Sequence, residues 1–306
     1  MRRGVGGACM FSTAVLGWAM CSYGAEAIQS PETTHKSEVA PARQELVVDL
    51  GNDVKLEMVW IEPGEFVMGS PADEEGRTID ETQHRVRITK GFWMGKYEVT
   101  QRQWEALMGD NPSSHQHAGA DAPVEKVSWQ DCQEFILKLN RLDKRGTFRL
   151  PTEAEWEYAC RAGTATALYT GPLTIEGRNN APALDPIAWY GGNSGVAYDG
   201  AYDSRKWREK QYAHTQAGTH EVGQKRPNAW GLYDMLGNVQ EWCQDWYGAY
   251  PSDSVSDPSG PSSGSYRVLR GGCWCYLPKF SRSASRYEMI PTLRYGSNGF
   301  RVVLVP

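Results

Sequence analysis

The run Gly231-Leu232-Tyr233-Asp234-Met235-Leu236-Gly237-Asn238-Val239-Gln240-Glu241-Trp242 mixes glycines, aromatics and acids too irregularly for a plain helix or strand. Asp234 and Glu241 stand seven residues apart, with Gly237 and Val239 between them. A chain folded back on itself there aims two carboxylates and several carbonyls at one point. Hard cations such as calcium take six to eight oxygens at roughly 2.3–2.6 Å. The bland alternative is that Asp234 caps a turn and Glu241 pairs with a surface arginine. A second chemically capable pair is Cys273-x-Cys275. In an extended segment the two side chains face the same way with Cα atoms roughly 6.6 Å apart. Both sulfurs then reach one soft metal such as copper(I). A direct disulfide lies at its upper Cα limit of roughly 6.8 Å and is strained. His115-x-His117 is a third pairing, in a polar loop, and reads as incidental.

The elements that carry these residues are short. Leu46–Leu50 and Lys55–Ile61 flank the turn triplet Gly51-Asn52-Asp53 as a hairpin, and 65–68 and 84–88 continue as strands. Thr100 caps a helix over 101–108 that Gly109 stops. Ser128 with Asp131, and Thr152 with Glu155, are capping boxes opening further helices, the latter ending at Gly163. Trp129, Cys132, Phe135, Ile136 and Leu139 share one helical face, so Cys132 is core packing. Residues 163–230 are long, polar and glycine-rich, a length that needs an ion or a function to order it. Residues 252–265 read as a surface loop, and 268–270 and 300–304 as closing strands. Few helices, many short strands and long loops make an α+β chain.

With 40% hydrophobic and 23% charged residues in 306, the composition is that of a soluble globular protein. A net charge of −5, with scattered Lys and Arg, excludes nucleic acid as a partner. Twelve tryptophans suit an irregular fold held by side-chain packing. Residues 1–27 have the charge, apolar run and small-residue end of a signal peptide, and 28–44 form a flexible linker before a domain over 45–306. The protein is therefore expected to be exported, periplasmic or extracellular, without a transmembrane segment. Removing Cys9 and Cys21 with the leader leaves five of seven cysteines, an odd number, so at least one is free, metal-bound or paired with another chain.

The run from Gly231 to Trp242 resembles the signature of the formylglycine-generating enzyme family, the sulfatase-modifying factors. Other blocks stand in the family's order: Pro63 to Ser70, Tyr97-Glu98-Val99-Thr100-Gln101, Pro123-Val124, Val127-Ser128-Trp129, Arg149 to Arg161, Arg267 to Gly272 and Gly299-Phe300-Arg301. The resemblance implies a C-type-lectin-like fold poor in regular secondary structure. It implies calcium on the side chains of Asp234 and Glu241 and the carbonyls of Gly237 and Val239. It also implies a second calcium beginning at Asn193 and Ser194 and completed by Asp199 or Asp203. Members of the family use oxygen and copper to oxidise a sulfatase cysteine to formylglycine, through a cysteine pair just after Arg-Gly-Gly. Here the matching positions are Tyr276 and a residue near Ser281. Two readings stay open. One is a calcium-stabilised binding or accessory module for a peptide, glycan or protein. The other is an oxidoreductase acting on a sulfatase-type protein cysteine, with Cys273 and Cys275 as a displaced catalytic copper site. A structural disulfide from Cys273 or Cys275 to Cys160 or Cys243 competes with the latter.

Overall fold

A computed structural model describes residues 44–200 and 202–306. The expected leader over 1–27 and all but the last residue of the linker over 28–44 lie outside them.

The expected hairpin forms in register, with Glu45–Asp49 against Lys55–Ile61. It becomes the edge of a five-stranded antiparallel sheet that continues through Phe92–Gly95, Val303–Val305 and Thr147–Arg149. A second sheet orders Arg286–Met289, Arg267–Arg270, Gln240–Trp246 and Asn298–Gly299, the last pair parallel. Gly64–Met68, His84–Ile88 and Val255–Ser256 make a third.

Three helices begin on the polar residues that announce them: α1 (Gln101–Met108), α2 (Trp129–Leu142) and α3 (Glu153–Arg161). Each has a complete capping box, at Thr100 with Gln103, Ser128 with Asp131 and Thr152 with Glu155. These boxes satisfy N–H groups that a short helix cannot bond internally. Cys132, Phe135, Ile136 and Leu139 of α2 are buried, as their spacing requires.

Three sequence expectations are corrected. The central run does contain a regular strand, Gln240–Trp246. Both faces of that strand are largely covered, so it lacks the polar–apolar alternation by which an exposed strand is recognised. The closing strand divides, Asn298–Gly299 pairing in one sheet and Val303–Val305 in another. Residues 252–265 contribute Val255–Ser256 to a sheet edge.

Long loops leave carbonyls without ladder partners, and buried arginines supply the missing donors. Arg270 donates to the carbonyls of Ser283, Ala284 and Ser285 at 2.8–3.0 Å, and its charge meets Glu157. Arg282 reaches Gly76 and Lys279 and pairs with Glu81. Arg301 reaches Gly95 and Tyr233. A guanidinium offers five donors in a fixed fork, which is why it can tie several loop carbonyls and one carboxylate at once.

Candidate functional site

Two neighbouring constructions meet at the strand Gln240–Trp246 and the segment after Arg270. The first is a buried carboxylate cluster. Gly237 and Asn238 turn with φ of 83° and 55°. A Cβ on Gly237 would stand 2.3 Å from the carbonyl oxygen of Trp189, so only glycine fits. Beyond the turn Glu241 is fully buried and accepts three hydrogen bonds. Trp156 Nε1 donates to its Oε2 at 2.8 Å, Arg301 Nε to the same oxygen at 2.7 Å and an Arg301 terminal nitrogen to Oε1 at 2.6 Å. The partner is thus an arginine of the core, not of the surface.

Asp234 is buried as well, with a φ of 54°. Its Oδ2 accepts the Gly223 N–H at 2.7 Å, while Oδ1 is buried without a partner. Burial, opposed by the Gly223 N–H and Arg301 and reinforced by Glu241, pushes its carboxyl up to about 6. Glu98, which sequence reasoning quoted in a motif and gave no role, completes the cluster. Its oxygens accept the Val239 N–H at 3.0 Å and the Asn238 amide at 2.9 Å. Burial and the charges of Asp234 and Glu241 hold its carboxyl well above the usual range.

A hard cation suits part of this donor set. Asp234 Oδ1 is free, and three bonds to Glu241 leave one of its roughly four lone-pair positions open on Oε1. Among the described residues no three His, Cys, Asp or Glu side chains group as a metal cluster, so an ion there depends on main-chain carbonyls such as those of Gly237 and Val239. At the second expected calcium position, Asn193 Oδ1 accepts the Tyr190 N–H at 2.9 Å, and Ser194 Oγ donates to the Trp274 carbonyl at 2.6 Å. Of the two candidate acids, Asp199 is exposed and Asp203 is exposed and paired with Arg205. Asn193 and Ser194 are thus both tied into the fold, each side-chain oxygen keeping a further lone pair.

The second construction is a cavity of about 620 Å³ whose lining includes His115, Tyr202, Trp274, Cys275, Tyr276 and Tyr287. Tyr202, Tyr287 and Tyr295 around it keep 37–50% of their surface exposed. Gly271 and Gly272, at φ of 95° and 74°, bend the chain out of its strand into the floor. There Tyr276 N–H donates to the Cys273 carbonyl at 3.1 Å, closing a turn over Trp274 and Cys275. The turn is pinned by Trp274 N–H on the Asn238 carbonyl, Trp274 Nε1 on the Gly296 carbonyl and the Tyr276 carbonyl on Gly191 N–H. Asn238 therefore joins the cluster to the cavity.

This turn overturns the extended reading of Cys273-x-Cys275. The sulfurs lie 3.3 Å apart, Cys273 buried and Cys275 half-buried. All five described cysteines are free thiols. Cys160 faces Ser283 Oγ at 3.6 Å and Cys243 sits beside the Glu241 carbonyl, each inside a core away from the Cys273 turn. The expected bridge to either is absent. At the positions matching the copper pair, Tyr276 presents a phenol and Ser281 a buried hydroxyl without a partner. Neither is the soft thiolate that copper(I) prefers.

His115 and His117 both line the cavity, although their spacing alone gave no reason to single them out. Buried Glu125 orients His115, accepting its N–H at 2.7 Å and lying 3.2 Å from Nδ1. No helix among the described residues is long and apolar enough to cross a membrane.

Comparison with known proteins places these features in a family. The Sulfatase-modifying factor enzyme 1-like domain matches residues 46–305. The chain is 34% identical over 215 residues to "Chaperone protein LppX" of Paenibacillus barcinonensis, covering 60% of this chain and 69% of that protein. It is 35% identical over 189 residues to the "Formylglycine-generating enzyme" of Streptomyces coelicolor, covering 58% of this chain and about half (51%) of that enzyme. Among solved structures, "Treponema denticola variable protein 1" superposes with a TM-score of 0.68 at 30% identity, over 86% of this chain and 99% of that one.

Proposed function

Because the chain belongs to the sulfatase-modifying factor family and shares its C-type-lectin-like α+β fold, we propose that it is an exported binding module of that family. On this reading the fold is stabilised by calcium at Asp234 and presents the tyrosine-lined cavity to a peptide or protein ligand. One observation carries it: the positions that the family resemblance matches to the copper cysteines are Tyr276, in the cavity wall, and a residue near the buried Ser281. Exposed tyrosines supply large, stiff contact surfaces with a polar tip, a composition suited to recognition. Export rests on the leader-like residues 1–27.

Calcium would be held by Asp234 Oδ1, the open position on Glu241 and the carbonyls of Gly237 and Val239, a reading supported by the unpartnered Asp234 oxygen. It would supply charge compensation in a cluster that Arg301 alone leaves net negative. The family's oxidation of a protein cysteine is the second reading, through copper at Cys273 and Cys275. Their approach favours a shared role. A near-linear two-sulfur site, however, needs sulfurs roughly 4.6 Å apart, twice a metal–sulfur bond of about 2.3 Å. At 3.3 Å the pair must open before it could hold a metal that way.

The deciding experiment titrates copper(I) into the reduced mature protein and follows oxygen with a cysteine-containing peptide. The binding reading expects no stoichiometric copper(I) and no peptide-dependent oxygen uptake. Uptake that disappears in Cys275→Ser would replace it with the oxidase.

A further inference from the structure

We propose that Cys273 and Cys275 form a thiol–disulfide exchange pair acting on anionic peptide disulfides, with Cys275 attacking and Cys273 resolving. The pairing is built by the turn. With the Cys273 carbonyl bonded to Tyr276 N–H, residues i and i+2 are drawn together and their sulfurs stand 3.3 Å apart. A disulfide needs about 2.05 Å. The two sulfurs are already in van der Waals contact, so the bond closes without any movement of a remote segment.

Access is unequal in the way exchange requires. Cys275 lines the 620 Å³ cavity and also a second groove of about 400 Å³ on its other side, while Cys273 lies underneath with no exposed surface. An incoming disulfide meets Cys275 first, and the mixed disulfide that results sits against the buried sulfur.

Local electrostatics point the same way. Burial and the bond to the Cys275 sulfur push the Cys273 thiol up. Thiolates are the attacking species, and of the two sulfurs only that of Cys275 is open to the solvent. The second groove is lined by Arg178, Lys206 and Arg208, all exposed. These cations draw negatively charged ligands into the groove that Cys275 lines. The nearby carboxylate of Glu209 is turned to the Arg178 main-chain N–H at 2.6 Å.

The step balances without a further reagent. Cys275 thiolate attacks one sulfur of R–S–S–R′. That S–S bond breaks, a Cys275–S–R bond forms, and R′S⁻ leaves to be protonated. Cys273 gives up its proton and attacks the Cys275 sulfur, closing Cys273–Cys275 and releasing R–S⁻, which takes up a proton. The substrate gains two electrons and the pair loses them. The reverse sequence oxidises a dithiol.

The reduced mature protein is mixed with oxidised glutathione, an anionic disulfide, or with cationic cystamine, and peptides are mapped by mass spectrometry. We expect a Cys273–Cys275 disulfide to form, at least tenfold faster with glutathione. Cys273→Ser should accumulate a glutathione adduct on Cys275, Cys275→Ser should leave Cys273 unreacted, and Arg178→Glu with Arg208→Glu should reverse the preference for glutathione. A stable Cys275 adduct in the parent protein, or Cys275 reacting no faster than in urea, would overturn the proposal. The mapping of the parent protein needs no variant to fold. It is also independent of the binding reading, which fails only on the copper and oxygen measurements.

Discussion

Arg301 grips both carboxylate oxygens of Glu241, at 2.7 and 2.6 Å, with neither side chain reaching solvent. The contact joins the Gly299-Phe300-Arg301 motif to the central run 60 residues earlier, and the same guanidinium holds the carbonyls of Gly95 and Tyr233. Removing one partner of a buried pair strands the other charge, a cost of about 3–5 kcal/mol. Arg301→Met is expected to lower the unfolding free energy measured in urea by that much, or to prevent folding. Trp156→Phe, which removes the 2.8 Å bond to Glu241 and leaves a small cavity in the core, is expected to cost about 1–3 kcal/mol. Equal effects of the two would show that the ion pair is not the tie.

Asp234 Oδ1 has no partner, which makes it the atom on which calcium dependence turns. An ion bound only by the folded state at a hundred times its dissociation constant stabilises by about 2.7 kcal/mol. Chelation of protein shown by elemental analysis to contain calcium should therefore lower Tm by several degrees. Asp234→Asn should abolish that response. An unchanged Tm on chelation would remove calcium from the account.

Asp245 supplies a pH test. It accepts the Glu153 N–H at 2.9 Å, and burial with the Glu153 charge pushes its carboxyl up to about 8. The unfolded value is near 3.9. Between roughly pH 4 and 8 the folded state therefore holds the proton that the unfolded state releases, so this group makes stability fall as pH rises. Asp245→Asn keeps the accepting oxygen without the charge. It should flatten the decline and exceed the parent at pH 8 by roughly 5 kcal/mol, converging toward pH 4. Denaturant curves at four pH values decide it; parallel profiles would mean that Asp245 ionises normally.

Gly272 sets the turn below the cavity. Its φ is 74°, and a Cβ would stand 2.6 Å from Ser281 Oγ and 2.8 Å from the Phe280 carbonyl. At Gly109 the φ is 89° but nothing lies within 4 Å. Gly109→Ala should cost about 1 kcal/mol from conformation alone, and Gly272→Ala about 2–3 kcal/mol because the contact adds to it. Thermal unfolding of the two separates conformation from collision.

Much of this protein is written locally. Thr100, Ser128 and Thr152 each announce a helix because a capping box is complete within four residues. The Asn52-Asp53 hairpin is legible for the same reason, and the ordered motifs from Pro63 to Arg301 identify the family. Those signals also placed Asp234 and Glu241 inside one compact structure. Glu98 and Arg301 could be quoted as motif residues but not assigned, since a buried charge's role depends on which group lies beside it, and their partners Asn238 and Glu241 are 140 and 60 residues away.

The sequence by itself determined the family, the helices and the two-carboxylate run. Only the tertiary structure decided that Glu241 meets a buried arginine, that Asn193 and Ser194 bond to Tyr190 and Trp274, and that Cys273 and Cys275 touch. The physical reason is common to all three. Lone pairs and donors are allotted by distance through space, and in a fold this poor in ladders the allotment is made by side chains from remote loops.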